Sequence, residues 1–362
     1  MTEKTAVAIV GAGPIGIELA IALQEVGVKS TIYEAGQLGD AFTKWPPATR
    51  FFSTPEHAAL AGIPVQNVDQ LAITGEQYLA YLRMLVEYFD LDVHLYHPVK
   101  HIEKRNDNFV LRIDTRIGEK IVQAEQVVLA TGGMASPRML NIPGEDLPHV
   151  THYFQGPHPY FRQRLLVVGG RNSAVEAALR CWRVGAQVAM SYRRENFNFD
   201  RIKPHLSMDL GDRLRKGEIQ FFPATVPVEI TPVDVVLAEV RDGVVGAEFT
   251  ENGRLLRIPA DFVLLATGFK ADMRLFLGAG VRLHGEQEIP EFNPQTMETN
   301  VPGLYVAGTA AGGTQERFTY FISTSHDHVT KIVKHITGKV PTRVGTVAAR
   351  NNSVTWEEVK TN

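Results

Sequence analysis

One glycine-rich unit occurs twice in this chain of 362 residues, in the same register. The copies are "TAVAIVGAGPIGIELAIALQEVGVKSTIYEA" and "LLVVGGRNSAVEAALRCWRVGAQVAMSYRR", and each runs from an apolar strand through a glycine turn into a helix and a second strand. Gly11 matches Gly169, and Gly27 and Gly185 follow at equal distances as helix stops. Because such units build parallel sheets, two copies predict an α/β protein with two Rossmann-like dinucleotide-binding domains.

The first turn has the residues that a dinucleotide requires. Gly11, Gly13 and Gly16 give the spacing G-x-G-x-x-G. The first glycine permits a tight turn, the second lets a pyrophosphate approach the backbone, and the third lets the helix pack on the strand. Glu34 ends the second strand, where a carboxylate can accept hydrogen bonds from ribose hydroxyls. This turn therefore predicts a dinucleotide site.

The second turn differs from the first at two positions. Arg171 stands where the central glycine is expected, so its side chain either points away from the pyrophosphate or clasps it. At the position of Glu34 the second copy has Tyr192, followed at once by Arg193 and Arg194. Two guanidinium groups without a carboxylate favour the 2′-phosphate of NADPH, and the alternative is a solvated, basic strand end. We therefore predict NADPH at the second turn and FAD at the first.

Composition limits the possible partners. The formal net charge of −3 argues against nucleic acid. The single cysteine, Cys181, excludes an internal disulfide or a Cys-x-x-Cys pair, and its apolar helix neighbours predict a packing residue. No apolar run reaches the ~18 residues of a membrane span, and the first residues lack an apolar signal segment. We therefore predict a cytoplasmic protein that binds no membrane. We also predict that it binds no metal, because His326 and His328 have no third ligand at a typical spacing.

Other segments resemble the edges of nucleotide sites. Three stretches run from a strand into a turn of small residues, which either admits a flat ligand or simply ends the strand: "VVLATGG" (127–133), "FVLLATGF" (262–269) and "LYVAGTAAGG" (304–313). Alternating segments within 85–127, and again inside the second unit, predict small β meanders. The proline-rich segment 42–57 predicts a loop, lying either against a flat ligand or on the surface with aromatic anchors.

The order of these segments predicts an NADPH domain inserted in an FAD domain. We place the two parts of the FAD domain at residues 1–155 and 269–340, and the NADPH domain at 156–268. Residues 341–362 are polar and predict a flexible tail. Asn172 and Ser173 begin the helix of the NADPH unit, where they can cap it or bind phosphate oxygens.

The motifs resemble those of two-dinucleotide-binding-domain flavoproteins of the thioredoxin-reductase type, and within that group the bacillithiol-disulfide-reductase-like family. The likeness rests on "GGRNSAVEAAL", "YRR", "ATGG", "LYVAGTAAGG", "FFST", "HYFQGPHPYF" and "IKPHL", and covers most of residues 1–340. It implies FAD contacts by Gly11, Gly13, Pro14, Ile15, Gly16, Glu34, Lys44, Trp45, Phe52, Val99, Ala130, Thr131, Gly132 and Gly308. It implies NADPH contacts by Gly169, Gly170, Arg171, Asn172, Ser173, Arg193 and Arg194. Ile15 occupies the position where that family usually has a cysteine in the first turn.

The predicted function is that of an NADPH-dependent FAD oxidoreductase. It would pass hydride from NADPH to flavin and electrons to a small-molecule or small-protein acceptor, for which the resemblance implies a low-molecular-weight disulfide. The alternatives are a flavin monooxygenase, a ferredoxin or flavodoxin reductase, and a redox-inert NADPH sensor. His326, before a C-terminal helix pattern, is a candidate for relaying protons, with a solvated helix cap as the other interpretation. A homo-oligomer is also predicted.

Overall fold

The computed structural model of the protein describes residues 3–240, 254–315 and 319–345. Its helices are α1 (Pro14–Glu25), α2 (Asp40–Thr43), α3 (Pro55–Ala58), α4 (Gly75–Tyr88), α5 (Asn172–Arg183), α6 (Pro204–Arg215), α7 (Arg274–Gly278) and α8 (Ile322–Thr337). Short 3-10 turns cover His158–Tyr160, Phe199–Arg201 and Gly308–Gly312.

The strands follow in chain order. They are β1 (Glu3–Val10), β2 (Ser30–Tyr33), β3 (Val93–His94), β4 (Val99–Arg105), β5 (Asn108–Thr115), β6 (Gly118–Leu129), β7 (Ser136–Pro137), β8 (Val150–Thr151), β9 (Arg164–Val168), β10 (Gln187–Ser191), β11 (Gln220–Phe222), β12 (Thr225–Ile230), β13 (Asp234–Glu239), β14 (Leu255–Pro259), β15 (Phe262–Leu265), β16 (Phe269–Lys270), β17 (Leu283–His284), β18 (Ile289–Pro290) and β19 (Leu304–Val306).

The chain forms two compact units. The first contains residues 1–43, 48–135 and 270–362, and the second contains 44–47 and 136–269. Residues 136–155, which the sequence analysis assigned to the first domain, therefore lie in the second unit.

The first unit is built on a sheet in the order β3-β2-β1-β6-β5-β4, with β19 also paired to β6. Strands β1, β2, β3, β6 and β19 are parallel, whereas β5 is antiparallel to both β6 and β4. The sheet thus combines a Rossmann-like part with the predicted meander. Residues 7–10 of β1 are buried as a continuous apolar run, as a parallel strand covered on both faces requires.

The beginning of the predicted tail is bound to α1. The backbone N–H groups of Thr342 and Arg343 donate to the Glu25 carboxylate, at 3.1 Å and 2.9 Å. The N–H of Gly345 donates to Glu18, also on α1, at 2.9 Å. Residues 341–345 are therefore held by hydrogen bonds, and the rest of the predicted tail, 346–362, lies outside the described residues.

The second unit is built on a parallel sheet in the order β11-β10-β9-β15-β8. Helix α5 follows β9, and its apolar face forms a core with Met190, Leu206 and Leu264. A second apolar cluster includes Val263 on the sheet and Leu237 on β13. Strands β12, β13 and β14 form an antiparallel meander. Two parallel sheets, each with a meander, confirm the predicted fold class.

Three further observations concern a predicted loop, membrane spans and metal sites. The segment 42–57, predicted as a loop, includes the end of α2 and the first three residues of the one-turn helix α3. Among the described helices, none is both long and apolar enough to cross a membrane. Among all the residues that the structure describes, no three histidine, cysteine, aspartate or glutamate side chains form a group that could hold a metal ion.

Candidate functional site

The first glycine turn is wedged between neighbouring strands. Gly11 has φ +113°, and a Cβ there would lie 2.5 Å from the carbonyl oxygen of Ala130. A Cβ on Gly16 would lie 2.1 Å from the carbonyl oxygen of Gly11. Both positions therefore require glycine. Gly13 differs, because no atom lies within 4 Å of the place where its Cβ would be.

The space beside Gly13 is open at the start of α1. Gly13 is the N-cap of the helix, and Pro14 occupies its first position, where the fixed φ of proline suits a helix start. The first N–H groups of a helix have no partner within the helix, and with the helix dipole they favour a phosphate. The open space and these N–H groups fit the pyrophosphate of FAD.

Glu34 braces the first turn as well as facing it. Its Oε2 accepts a hydrogen bond from the N–H of Ala12 at 2.7 Å, and its Oε1 accepts one from Gly36 at 2.8 Å. A carboxylate oxygen has a second lone pair, so both oxygens can still accept ribose hydroxyls. The N–H of His97 donates to the Glu34 carbonyl at 2.7 Å, which brings the segment just before Val99 close to Glu34.

The small-residue turns after β6 and β19 complete this crevice. The N–H of Ala130 donates to Val10 at 2.9 Å. The hydroxyl of Thr131 is buried and has no hydrogen-bond partner within the described residues. A Cβ on Gly308 would lie 3.5 Å from the Ile15 side chain. The crevice therefore lies at the carboxyl ends of parallel strands, where such sheets bind ligands, and the unsatisfied hydroxyl fits a polar ligand.

The remaining residues predicted to contact FAD belong to both compact units. Gly132, with φ +77°, follows Thr131 and faces Thr309. Lys44 and Trp45 belong to the second compact unit. Phe52 belongs to the first unit and is 68% exposed. Contacts of these residues with FAD stay predictions.

The second glycine turn repeats the geometry of the first. Gly169 has φ +142°, and a Cβ there would lie 2.6 Å from the carbonyl oxygen of Ala266. A Cβ on Gly170 would lie 2.6 Å from the ring of Tyr192. The Tyr192 ring thus lies against the turn at the position that Glu34 has in the first unit. Arg171 has φ −107° in extended backbone, which any residue adopts, so the turn does not need glycine at 171.

Asn172 holds a neighbouring segment. Its Nδ2 donates to the Arg201 carbonyl at 3.0 Å, and its Oδ1 accepts the N–H of Lys203 at 2.8 Å. Arg171 is the N-cap of α5, and no side-chain hydrogen bond caps this described helix start. Of the two roles predicted for Asn172 and Ser173, the cap is therefore not formed, and phosphate binding stays a prediction. Burial lowers the pKa of Lys203. Asn172 therefore positions residues 201–203 beside the second turn.

Arg193 and Arg194 follow β10 next to this turn. Arg193 is half-buried and Arg194 is exposed, and no carboxylate of the described chain forms an ion pair with either. The Arg194 carbonyl accepts the N–H of Ala224 at 3.0 Å, which fixes the backbone there. Beside it is an open pocket of ≈ 460 Å³, lined by Arg194, Asn196, Phe197, Asn198, Phe199 and Asp200. Guanidinium groups at such a pocket fit a phosphate.

Cys181 lies in the core of the second unit on α5, with no exposed surface. Burial raises the pKa of its thiol to about 12. Because the thiolate is the reactive form of cysteine, Cys181 is a packing residue, as the sequence predicts.

Helix α8 carries two buried histidines, and one of them contacts the turn after β19. His328 Nδ1 accepts the N–H of Gly308 at 3.2 Å, and burial, with the nearby charge of Lys331, lowers the pKa of His328 to about 4. His326 Nδ1 lies 2.6 Å from Oε2 of Glu18. Glu18 was missed in the sequence analysis, although a lone acid within the apolar run "IGIELAIAL" is a signal of a buried partner.

Comparison with known proteins places the chain among flavoprotein reductases. The sequence profile of a family described as "Pyridine nucleotide-disulphide oxidoreductase" matches residues 8–308. The bacilliredoxin reductase Bdr of Bacillus subtilis is 31% identical over 314 residues, which cover 86% of this chain and 91% of the relative. A ferredoxin–NADP reductase of Ignicoccus hospitalis is 27% identical over 307 residues, or 83% of this chain and 88% of the relative.

Solved structures show the same likeness. The bacillithiol disulfide reductase Bdr of Bacillus cereus superposes with a TM-score of 0.84 at 31% identity, covering 92% of this chain and 99% of that one. Thioredoxin reductase of Lactococcus lactis superposes with a TM-score of 0.69 at 20% identity, over 92% and 97% of the two chains, and shares the fold.

We expect Gly13→Val to remove FAD without unfolding the protein. The valine side chain would occupy the open space beside α1, where the pyrophosphate is expected, and would touch no protein atom in its Cβ position. Flavin per chain, measured from the visible absorbance of purified protein, should fall from about one to a small fraction, with the circular dichroism unchanged. Gly13→Ala is the milder matched variant. Full flavin content in Gly13→Val would show that the first turn is not the FAD site.

We expect His328→Asn to reduce the loss of stability in acid. Because the folded protein keeps His328 neutral until about pH 4, the unfolded chain binds a proton that the folded chain does not as pH falls below ~6.5. The free energy of unfolding should therefore fall across pH 6.5 to 4, by up to about 3 kcal/mol from this group. Asparagine Oδ1 can still accept the Gly308 N–H.

Urea unfolding of both proteins at pH 7, 5.5 and 4.5 measures the difference. The free energy of unfolding should change less with pH in the variant than in the wild type. Parallel curves would contradict the assignment of a lowered pKa to His328.

Proposed function

Because the chain belongs to the pyridine nucleotide-disulphide oxidoreductase family, we propose that it uses NADPH and FAD to reduce a small-molecule disulfide. Family membership confirms the predicted enzyme class and the predicted cofactors, and the Bdr relatives confirm the resemblance on which those predictions rest. The disulfide acceptor and the individual binding residues are part of the proposal.

The observation that supports the proposal is a difference in charge between two turns of equal geometry. Glu34 lies at the ribose position of the first turn, and Tyr192, Arg193 and Arg194 lie at that of the second. A carboxylate suits the free ribose hydroxyls of FAD, and guanidinium groups suit the 2′-phosphate of NADPH. The same fold unit thus serves one cofactor in each domain.

The roles of the chain's own residues follow from this arrangement. When bound, FAD supplies the two-electron chemistry that links NADPH to an acceptor. The N–H groups at the start of α1 would bind its pyrophosphate and Glu34 its ribose, while Arg193 and Arg194 would bind the NADPH phosphate.

The relatives support a disulfide as the acceptor, and the chain has no accessible thiol to take part in its reduction. The named acceptor of the Bacillus cereus relative is bacillithiol disulfide. Cys181 is buried with a raised pKa, and Ile15 occupies the second position of α1. A disulfide would therefore have to be reduced without a protein cysteine. A small redox protein is the second candidate, because ferredoxin–NADP reductases are also similar to this chain.

The proposal predicts NADPH oxidation that depends on an added low-molecular-weight disulfide and is unchanged in Cys181→Ala. A buried, protonated thiol contributes nothing to electron transfer, so the variant should keep the wild-type rate within about twofold. The measurement is the fall in NADPH absorbance with bacillithiol disulfide, with glutathione disulfide and with ferredoxin.

Three outcomes would redirect the assignment. Activity with ferredoxin alone would support the second candidate over the disulfide. Loss of activity in a folded Cys181→Ala variant would show a thiol mechanism. Absence of flavin reduction by NADPH would contradict the proposed function itself. A cytoplasmic location and a homo-oligomeric state stay predictions from the sequence.

We expect the double variant Arg193→Ala/Arg194→Ala to lose affinity for NADPH and to keep its affinity for NADH. Charge-assisted hydrogen bonds are worth about 1.5–3 kcal/mol each when well placed, and Arg194 is exposed, which reduces its share. The Kd for NADPH should therefore rise about ten- to a hundredfold, with a smaller effect at high salt.

Titration of flavin reduction with both nucleotides measures this effect. The matched control is Arg215→Ala/Lys216→Ala, which removes two positive charges at the exposed end of α6. Equal losses for both nucleotides would show that Arg193 and Arg194 only support the fold.

A further inference from the structure

Glu18 and His326 form a buried, hydrogen-bonded pair on two helices of the first unit. Glu18, on α1, has no exposed surface. Its Oε1 accepts the N–H groups of Ala61 at 2.8 Å and of Gly345 at 2.9 Å, and its Oε2 lies 2.6 Å from Nδ1 of His326. A buried carboxylate is stable only when such donors satisfy it. We call these two side chains the Glu18–His326 pair.

The hydrogen bonds fix where the protons of the pair lie. Backbone N–H groups only donate, so Oε1 of Glu18 is an acceptor, and an ionised Glu18 takes the Nδ1–H of His326 at Oε2. In a neutral imidazole, Nε2 then has a free lone pair. His326 is 9% exposed, and its Nε2 is buried with no hydrogen-bond partner within the described residues. The pair therefore holds an unoccupied proton site.

The pair lies next to the crevice assigned to FAD. Glu18 follows Ile15 by one turn of α1, and the Ile15 side chain packs against Gly308. The Gly308 N–H donates to His328, which is two residues from His326 on α8. The pair thus lies on the same two helices, α1 and α8, whose residues Ile15 and His328 contact the turn after β19.

Other titratable groups near the pair do not offer an equivalent site. On α4, burial and the charge of Glu18 raise the pKa values of Tyr78 and Tyr81, so both phenols stay protonated. His328 already accepts the Gly308 N–H. Glu25 on α1 binds Thr342 and Arg343, and Asp327 and Lys331 on α8 pair with each other. The other titratable groups on these helices are exposed: Glu56 and His57 on α3, Glu76, Arg83, Glu87 and Tyr88 on α4, and Lys334 and His335 on α8.

We propose that the Glu18–His326 pair takes up one proton when FAD at the first turn is reduced, and gives it up when the flavin is reoxidised. The inference rests on the proposed function. A hydride from NADPH brings two electrons and one proton, so it adds one negative charge to the flavin. A second proton from solvent then bonds to the lone pair of His326 Nε2. Nearby negative charge, from the flavin and from Glu18, stabilises the imidazolium.

The proton count matches the proposed acceptor. Reduction of a disulfide to two thiols breaks one S–S bond and consumes two electrons and two protons. The reduced flavin supplies both electrons and one proton, and the imidazolium supplies the other. The chain has no accessible thiol to carry that second proton. His326 is the proton-holding group, and Glu18 is a positioning residue that fixes its ring.

The pH dependence of the flavin midpoint potential tests the proposal. For a two-electron couple, each proton taken up changes the potential by about 30 mV per pH unit, a tenfold change in the equilibrium constant. Between pH 7.5 and 8.5, wild-type holoprotein should show the slope of two protons, about 60 mV per pH unit, and His326→Asn that of one proton, about 30 mV. Asparagine can keep the hydrogen bond to Glu18 but cannot titrate.

The matched control is His284→Asn. His284 also pairs with a glutamate, Glu291, at 3.1 Å, but His284 is exposed and Glu291 is only half-buried in the first unit. This variant should keep the wild-type slope. A change equal to that of His326→Asn would show that any histidine–glutamate pair alters the slope, and would overturn the proposal.

A second measurement reads the ring directly and needs no turnover. In protein with ¹⁵N-labelled histidine, the imidazole nitrogens of His326 should show a proton on Nδ1 in the oxidised wild type, and protons on both nitrogens after reduction. Glu18→Gln, whose amide can donate to Nδ1, should move the proton to Nε2 and reduce the slope to that of one proton. A Nε2–H tautomer in the oxidised wild type would overturn the assignment.

The outcomes separate this inference from the proposed function. Protein that contains FAD and whose slope is the same in wild type and His326→Asn would overturn the role of the pair and leave the proposed function standing. Protein that binds no FAD would overturn both.

Discussion

In both units, a glycine lies so close to the carbonyl oxygen at the end of a neighbouring strand that no side chain fits. Gly11 meets Ala130 in this way, and Gly169 meets Ala266. The contact is held from two sides, because each glycine also donates its N–H, at 2.9 Å, to the end of the other adjacent strand. The turn therefore cannot move relative to the sheet, and the N–H groups at the start of the next helix are fixed in place. The phosphate binding proposed for either unit depends on this contact.

The two turns are braced in different ways. In the first copy, Glu34 braces the turn through the N–H of Ala12. In the second copy, the ring of Tyr192 lies against Gly170, and this packing is what requires a glycine there. The next residue, Arg171, is left in ordinary extended backbone. A ring in place of a carboxylate braces the turn without placing a negative charge beside the site proposed for the NADPH phosphate.

Local patterns predicted the parallel sheets and the two glycine turns, because strand, glycine and helix residues in these units are consecutive in the chain. Sequence could not predict the partners of Glu18, which come from residues 61, 326 and 345. Nor could it predict the partners of the Asn172 amide, which are the backbone groups of residues 201 and 203. Such pairs depend on how helices pack, and the hydrophobic period of either helix carries no information on its partner.

The two histidines of α8 show how packing gives one residue type two roles. They are two residues apart on one helix, and both are buried. The Nδ1 of His328 meets an N–H, that of Gly308, so it must be an acceptor, and burial keeps the ring neutral. The Nδ1 of His326 meets a carboxylate, so it must be a donor, and its other nitrogen keeps a free lone pair. Titratable groups whose surroundings differ in this way take different parts in acid–base chemistry. In a chain whose one cysteine is buried in a core, the histidine beside the carboxylate is the group that can exchange a proton with a reduced cofactor.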